Sequence, residues 1–221
     1  LAPSSTISLL LAQLEGYEWQ PAIEIMTVVG VADALQIRQA AGWTREVADR
    51  VLHRLTSVRV KLHPASRKTI RIISQIEGGV HRAGSRGRPR RAYRLEEGGA
   101  LLAHQIGYPK AHPCQLTGKA EVNHALCILD LALAARAAGL AAAAECELPG
   151  GNVRADLLVT LPNGDRALFE VEQDVHPETL RRAVNKARRL AAFFASPRAR
   201  GFSRDSGQRI QPGRARRVQR R

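Results

Sequence analysis

Three carboxylates in one short stretch have the types and spacing to work together. In RADLLVTLPNGDRALFEVEQD (154–174), Asp156 lies on one apolar run and Glu170 and Glu172 on the next, with Pro162-Asn163-Gly164-Asp165 between them. Hard cations such as Mg²⁺ take oxygen ligands, and two or three carboxylates leave positions open for water and phosphate. A cation held in this way activates water and offsets charge on a phosphodiester transition state. Asp156, Glu170 and Glu172 are therefore the candidate metal ligands. Lys186 is the only lysine between residues 120 and 221, and the only one there that could orient the water or stabilise a phosphorane. Lys186 and Glu172 are the candidate catalytic residues. The same stretch would also serve as a hairpin with a solvated acidic face.

Glu170 and Glu172 are two apart, so on a strand they share a face, with Phe169 and Val171 on the other. Whether Asp156 joins them depends on the hairpin loop. A two-residue loop at Asn163-Gly164 sets Asp156 opposite Val171, on the wrong side. A three-residue loop sets it opposite Glu170 or Glu172. The Asn-Gly pair favours the shorter loop, and three-residue loops are next most common. One residue decides between a site and no site.

Other elements must position these groups. KAEVNHALCILDLALAARAAG (119–139) predicts an apolar helix, and AAAAECEL leads into a strand near 144–148. After the hairpin, Pro177 opens a helix with Leu180, Val184, Ala187, Leu190, Ala191 and Phe194 on one face. Upstream, residues 20–57 predict three short helices: QPAIEIMTVVG, VADALQIRQAAG with its cap region at Asp33, and WTREVADRVLHRLTS capped by Thr44. Ala40-Ala41-Gly42 suits the turn of a helix-turn-helix. VRVKLH (58–63) and TIRIIS (69–74) read as strands. GVHRAGSRGRPRRAYRL then reads as a β-ribbon with an arginine-rich tip, and Glu96–Gly107 as a closing helix.

The expected fold class is α+β: a winged helix-turn-helix domain, then a small α/β domain. The expected boundaries are an N-terminal extension at 1–19, the DNA-binding domain at 20–107, a linker at 108–117, the second domain at 118–196 and a basic disordered tail at 197–221.

Charge points the same way. The net charge is +14, and a chain this basic most often meets a polyanion. Residues 81–94 carry six arginines and no acid, whereas 156–178 carry six carboxylates and one arginine. Basic surfaces to hold phosphate beside acidic groups to hold a cation are the contrast a metal-dependent nuclease needs. With aromatics at only 4%, a stacking surface for single strands is not expected. The three cysteines contain no CxxC and are odd in number, which argues against a disulfide framework. His104, His112 and Cys114 lack zinc spacing and a fourth ligand, and LTGK (116–119) lacks the rest of a phosphate-binding loop. No apolar run reaches 18 residues and no secretory signal is read, so the expectation is a cytoplasmic protein.

VNHALCILDLALAARAAG, RADLLVTLPNGDRALFEVEQD and the helix containing NKARRLAAFF together resemble the C-terminal region of replication-relaxation proteins. GRPRRAYRLEEGGALLA resembles that family's wing and final helix. The resemblance spans roughly residues 20–196. It implies a prokaryotic, DNA-associated DNA-binding protein of a plasmid or other mobile element, and sets Asn123-His124, Asp156, Glu170 and Lys186 on the family's positions. The second domain, 118–196, is also similar to the PD-(D/E)xK nuclease fold, which implies a small α/β restriction-endonuclease-like domain in which Asp and Glu on a hairpin bind Mg²⁺. Here Ala155 replaces that motif's Pro and Glu172 its Lys, so Lys186 would stand in from the helix. The implied partner is double-stranded DNA, with a homodimer as a further expectation. Arg45, Arg50 and Arg54 would meet the major groove, and Arg86, Arg88, Arg90 and Arg91 the backbone. The alternatives are a Mg²⁺-dependent endonuclease or nickase, and a transcriptional regulator whose second domain is catalytically dead.

Overall fold

Side chains that satisfy the first free N–H groups fix where two helices of the N-terminal half begin. Thr44 accepts a hydrogen bond from Val47 N at 3.3 Å and starts helix α4, Arg45–Ser57. Asp33 caps α3, Ala34–Ala40, by accepting from Gln36 N at 2.9 Å, while Gln36 Oε1 accepts from Asp33 N at 2.9 Å. These are the two halves of a capping box. Gly42 adopts φ +68°, which lets the chain leave α3 and enter α4 within a few residues. Ala48, Val51, Leu52 and Leu55 form the buried face of α4.

The computed structural model describes residues 3–61, 68–81, 88–148, 154–171 and 177–195. The fold is α+β, with helices and small antiparallel sheets. The chain divides into two units, Leu1–Asp130 and Leu131–Arg221. The first contains α1 (Pro3–Gln13), α2 (Gln20–Met26), β1 (Val31–Asp33), α3, α4, β2 (Arg59–Lys61), β3 (Thr69–Arg71), β4 (Ile73–Gln75), β5 (Ala92–Leu95) and α5 (Glu97–Gln105). Helix α6, Lys119–Ala137, runs across the boundary. Strands β1, β5 and β4 form one sheet in that order, and β2 pairs with β3 in a second. Of the expected ribbon, Val80 and Arg90 form a bridge and Ala92–Leu95 is β5, but β5 pairs with β4, the second half of the expected strand TIRIIS, which breaks at Ile72; the tip at 82–87 lies outside the described residues.

Three segments of the first unit differ from the sequence reading. The stretch before Ala34 is a strand rather than helix, because Val31, Ala32 and Asp33 pair with Arg94, Tyr93 and Ala92. The N-terminal segment includes α1, whose Leu10, together with Leu14 just after it, is at most 1% exposed, so it contributes to the core. Residues 108–117 are held against the unit, with Tyr108 N donating to Ala103 O at 2.9 Å and Cys114 N to Leu95 O at 2.8 Å.

The start of α6 is tied down through Gln36, whose Nε2 donates to Leu126 O at 2.9 Å and to Asp130 Oδ1 at 2.8 Å. Asp33 itself is fully buried, with Arg90 Nη1 3.4 Å from its Oδ2. Asp33→Ala removes a cap, its hydrogen bond and the partner of a cation. We expect it to lower stability by about 2 kcal/mol. Asp33→Asn keeps the cap and should recover half or more of that loss in urea unfolding.

At the other end of the unit, α5 presses its first turn onto backbone. A Cβ on Gly98 would stand 2.7 Å from Arg71 O, and one on Gly99 would stand 2.4 Å from Ile72 O.

In the second unit, Gly139 (φ +76°) ends the α6 turn and the alanine run that follows is extended. Strands β6 (Ala141–Glu147), β7 (Arg154–Thr160) and β8 (Arg166–Phe169) form an antiparallel sheet in that order. Ala155, Leu157 and Val159 of β7 are buried on one face, so Asp156 belongs to the other. Helix α7, Pro177–Ala195, follows.

Candidate functional site

The loop between β7 and β8 is the three-residue form. Gly164 N donates to Leu161 O and Leu161 N to Asp165 O, each at 2.8 Å. Gly164 has φ +83°, the left-handed residue this loop requires. Asn163 helps to fix it, its Nδ2 donating to Asp165 Oδ2 at 2.7 Å and its Oδ1 accepting from Asp165 N at 3.1 Å. The register that follows pairs Leu157 with Phe169, which continues to Asp156 opposite Glu170. Asp156 Oδ2 accepts from Val171 N at 2.8 Å.

Lys186 of α7 joins both carboxylates. Its Nζ lies 3.1 Å from Asp156 Oδ1 and also forms an ion pair with Glu170. The side chains are 15% (Asp156), 24% (Glu170) and 34% (Lys186) exposed, so the cluster is partly shielded from solvent. Both Glu170 oxygens are buried, and beyond the contact with Lys186 neither has a hydrogen-bond partner among the described residues. Burial pushes the Glu170 carboxyl up to about 7; Asp156 adds to this shift and Lys186 opposes it. Burial pulls Lys186 down, but its hydrogen bonds to Glu170 and Asp156 and their charges outweigh it, so the ammonium sits above its ordinary value. Glu172 lies outside the described residues.

The arginines of the first unit are not equivalent. Arg50 and Arg88 are exposed. Arg45 lies 3.7 Å from Asp49, and Arg91 also pairs with Asp49. Arg90 faces buried Asp33. Arg54 donates to Gln13 O at 2.8 Å and to Gln13 Oε1 at 3.2 Å, with its guanidinium 5.5 Å from the Tyr17 ring. It therefore holds the N-terminal segment. Arg86 lies outside the described residues. Asn123 and His124 lie on the part of α6 that belongs to the first unit, where Asn123 Oδ1 is buried with no hydrogen-bond partner among the described residues.

No family model, curated protein or solved structure matches the chain.

The donor chemistry of the second unit fits a hard divalent cation. Asp156 and Glu170 are oxygen ligands on neighbouring strands, and the Glu170 oxygens are buried and poorly satisfied. Among the described residues, no group of three His, Cys, Asp or Glu side chains is arranged to hold a metal. The two carboxylates would be the whole described protein contribution, with water and phosphate as further ligands. One acidic residue escaped the sequence reading. Glu145 falls between the Ala144↔Leu157 and Cys146↔Ala155 pairs, opposite Asp156, with φ +52° and an ion pair to Arg154. A β6–β7 register would have revealed it, but the turn residues Pro149-Gly150-Gly151-Asn152 between the two runs fit several loop lengths and so set no single register. His104 and His112 are bonded to backbone carbonyls, at 2.6 Å from Ala111 O and 3.2 Å from Pro113 O.

Proposed function

We propose that this chain is a double-stranded-DNA-binding protein of a plasmid or other mobile element, of the replication-relaxation type, and that its second unit cuts DNA with the help of Mg²⁺. The observation that carries the reading is the register of β7 and β8, which sets Asp156 opposite Glu170 with Lys186 against both. In this reading α3, its turn and α4, with β4 and β5, form a winged helix that docks on the duplex. The net charge of +14 supports a polyanionic partner. No helix among the described residues is long and apolar enough to cross a membrane.

Asp156 and Glu170 would hold the cation. The chemistry a bound Mg²⁺ supplies is activation of water and compensation of phosphate charge. Asp156 is held in place by Val171 N. Lys186, once released from Glu170, would orient the attacking water or balance charge on the five-coordinate phosphate.

The test is nicking of supercoiled plasmid in Mg²⁺ or Mn²⁺. Wild type should nick, and Asp156→Ala should be slower by about 100-fold or more while DNA binding is retained. A second reading has its own support: Lys186 already pairs with both carboxylates, as a structural ion-pair cluster would. Salt-dependent DNA binding with no cleavage by wild type would favour it, leaving a DNA-binding regulator with an inert second unit.

A further inference from the structure

Strands β2 and β3 form a short ribbon whose outward face is cationic. Val60 and Ile70 point inward and are 7% and 1% exposed. The outward positions are Arg59, Lys61, Thr69 and Arg71, and the register sets Arg59 directly opposite Arg71. No carboxylate pairs with Arg59, Lys61 or Arg71 among the described residues. The neighbouring Lys68 does have one, Glu97 at 2.7 Å, so acid is available close by and the ribbon face does not use it. Like charges directly opposite on a sheet are destabilising. Two like charges facing each other repel weakly in water and more near a protein surface. A folded domain retains such an arrangement at a cost, and a ligand of opposite charge removes the cost on binding.

The chain order says which ligand. Arg59 comes two residues after Ser57, the last residue of α4. Arg71 is followed after one residue by β4. The ribbon is thus inserted between the helix and the hairpin assigned to the duplex in the preceding reading. We propose that the β2–β3 ribbon is a further DNA-binding surface, on which Arg59, Lys61 and Arg71 hold the phosphate backbone of the duplex. This rests on the DNA-binding reading, not on cleavage. Phosphate contacts position a protein without reading sequence, so the ribbon contributes to affinity uniformly across targets.

The experiment measures duplex affinity of the full chain against KCl concentration, for wild type, Arg59→Gln/Arg71→Gln and Arg50→Ala. Each phosphate contact contributes about 0.9 to the slope of log affinity against log salt. The double variant should lose roughly 2 from that slope and weaken by about tenfold at moderate salt, equally for unrelated duplexes. Its melting temperature should be unchanged or higher, since a repulsive pair has gone; this separates lost contacts from lost folding. If the double variant keeps the wild-type slope while Arg50→Ala loses part of it, the ribbon is only a solvated face and the proposal falls, with DNA binding intact. Wild-type binding that does not respond to salt would overturn both.

Discussion

Lys186→Met should destabilise the second unit by about 2 kcal/mol at pH 8 in the presence of EDTA. Breaking a buried ion pair typically costs about 3–5 kcal/mol, and the partial exposure of this cluster reduces that. The variant leaves Asp156 and Glu170 facing each other with no cation between them. Glu170 has a carboxyl pushed up to about 7 against an ordinary 4.5, chiefly by burial. A carboxyl whose folded value is raised keeps its proton in the folded state after the unfolded chain has lost it. Its contribution favours folding fully below about 4.5, and is lost as pH rises to about 7. Without Lys186 the carboxyl is held higher still, so the defect should fade towards pH 5. Lys186→Met/Glu170→Gln should restore much of the stability at pH 8. Mg²⁺ should raise the melting temperature of Lys186→Met more than that of wild type, because the competing ammonium is gone. A melting temperature indifferent to pH and Mg²⁺ would show that the three groups are not one coupled cluster.

Gly99→Ala should destabilise the first unit by about 3 kcal/mol, against the sign that helix propensity gives. Within a helix, alanine is ordinarily better than glycine by up to about 1 kcal/mol. Here the added methyl would meet Ile72 O at 2.4 Å and Leu95 Cδ1 at 2.5 Å. Ile72 and Leu95 are at most 1% exposed, and the first contact is backbone, so little can give. Gly118→Ala is a control for space: it lies just before α6, and its nearest neighbour would be Glu121 Oε2 at 3.4 Å, an ordinary contact. Alanine is a poorer N-cap than glycine, so a loss of no more than about 1 kcal/mol is expected in urea unfolding.

Local chemistry explains what could be read from the sequence. Thr44 before Val51, Leu52 and Leu55 marks both the start and the buried face of α4, and Asp33 three residues before Gln36 marks the start of α3. These signals lie within one or two turns. Gln36 is legible as half of a capping box, but its second role, holding Leu126 and Asp130, joins residues 90 and 94 positions apart. No local pattern carries that. Arginines show the same limit. Arg50 and Arg54 look alike in sequence, yet Arg50 is exposed while Arg54 holds Gln13 and lies over Tyr17. For the acidic site, the sequence supplied Asp156, Glu170 and Lys186 and left their meeting conditional on one loop. Asn-Gly by itself favours two residues. The third is included because Gly164 can take the left-handed position and Asn163 spends its side chain on Asp165.

That loop also sets how the protein tolerates insertions and deletions. Surface loops commonly absorb the loss of a codon with little harm. Deleting one codon within 162–164 would leave Leu161 opposite Asp165, closed by the shorter turn, and Asp156 would stay opposite Glu170. Deleting one codon within 166–168 would instead shift the rest of β8 by one, and Glu170 would move across from Leu157, on the buried face. The carboxylate pair would be dismantled by an in-frame change that touches neither carboxylate, so the count of residues between the loop and Glu170 is as much a determinant of this site as the acids themselves.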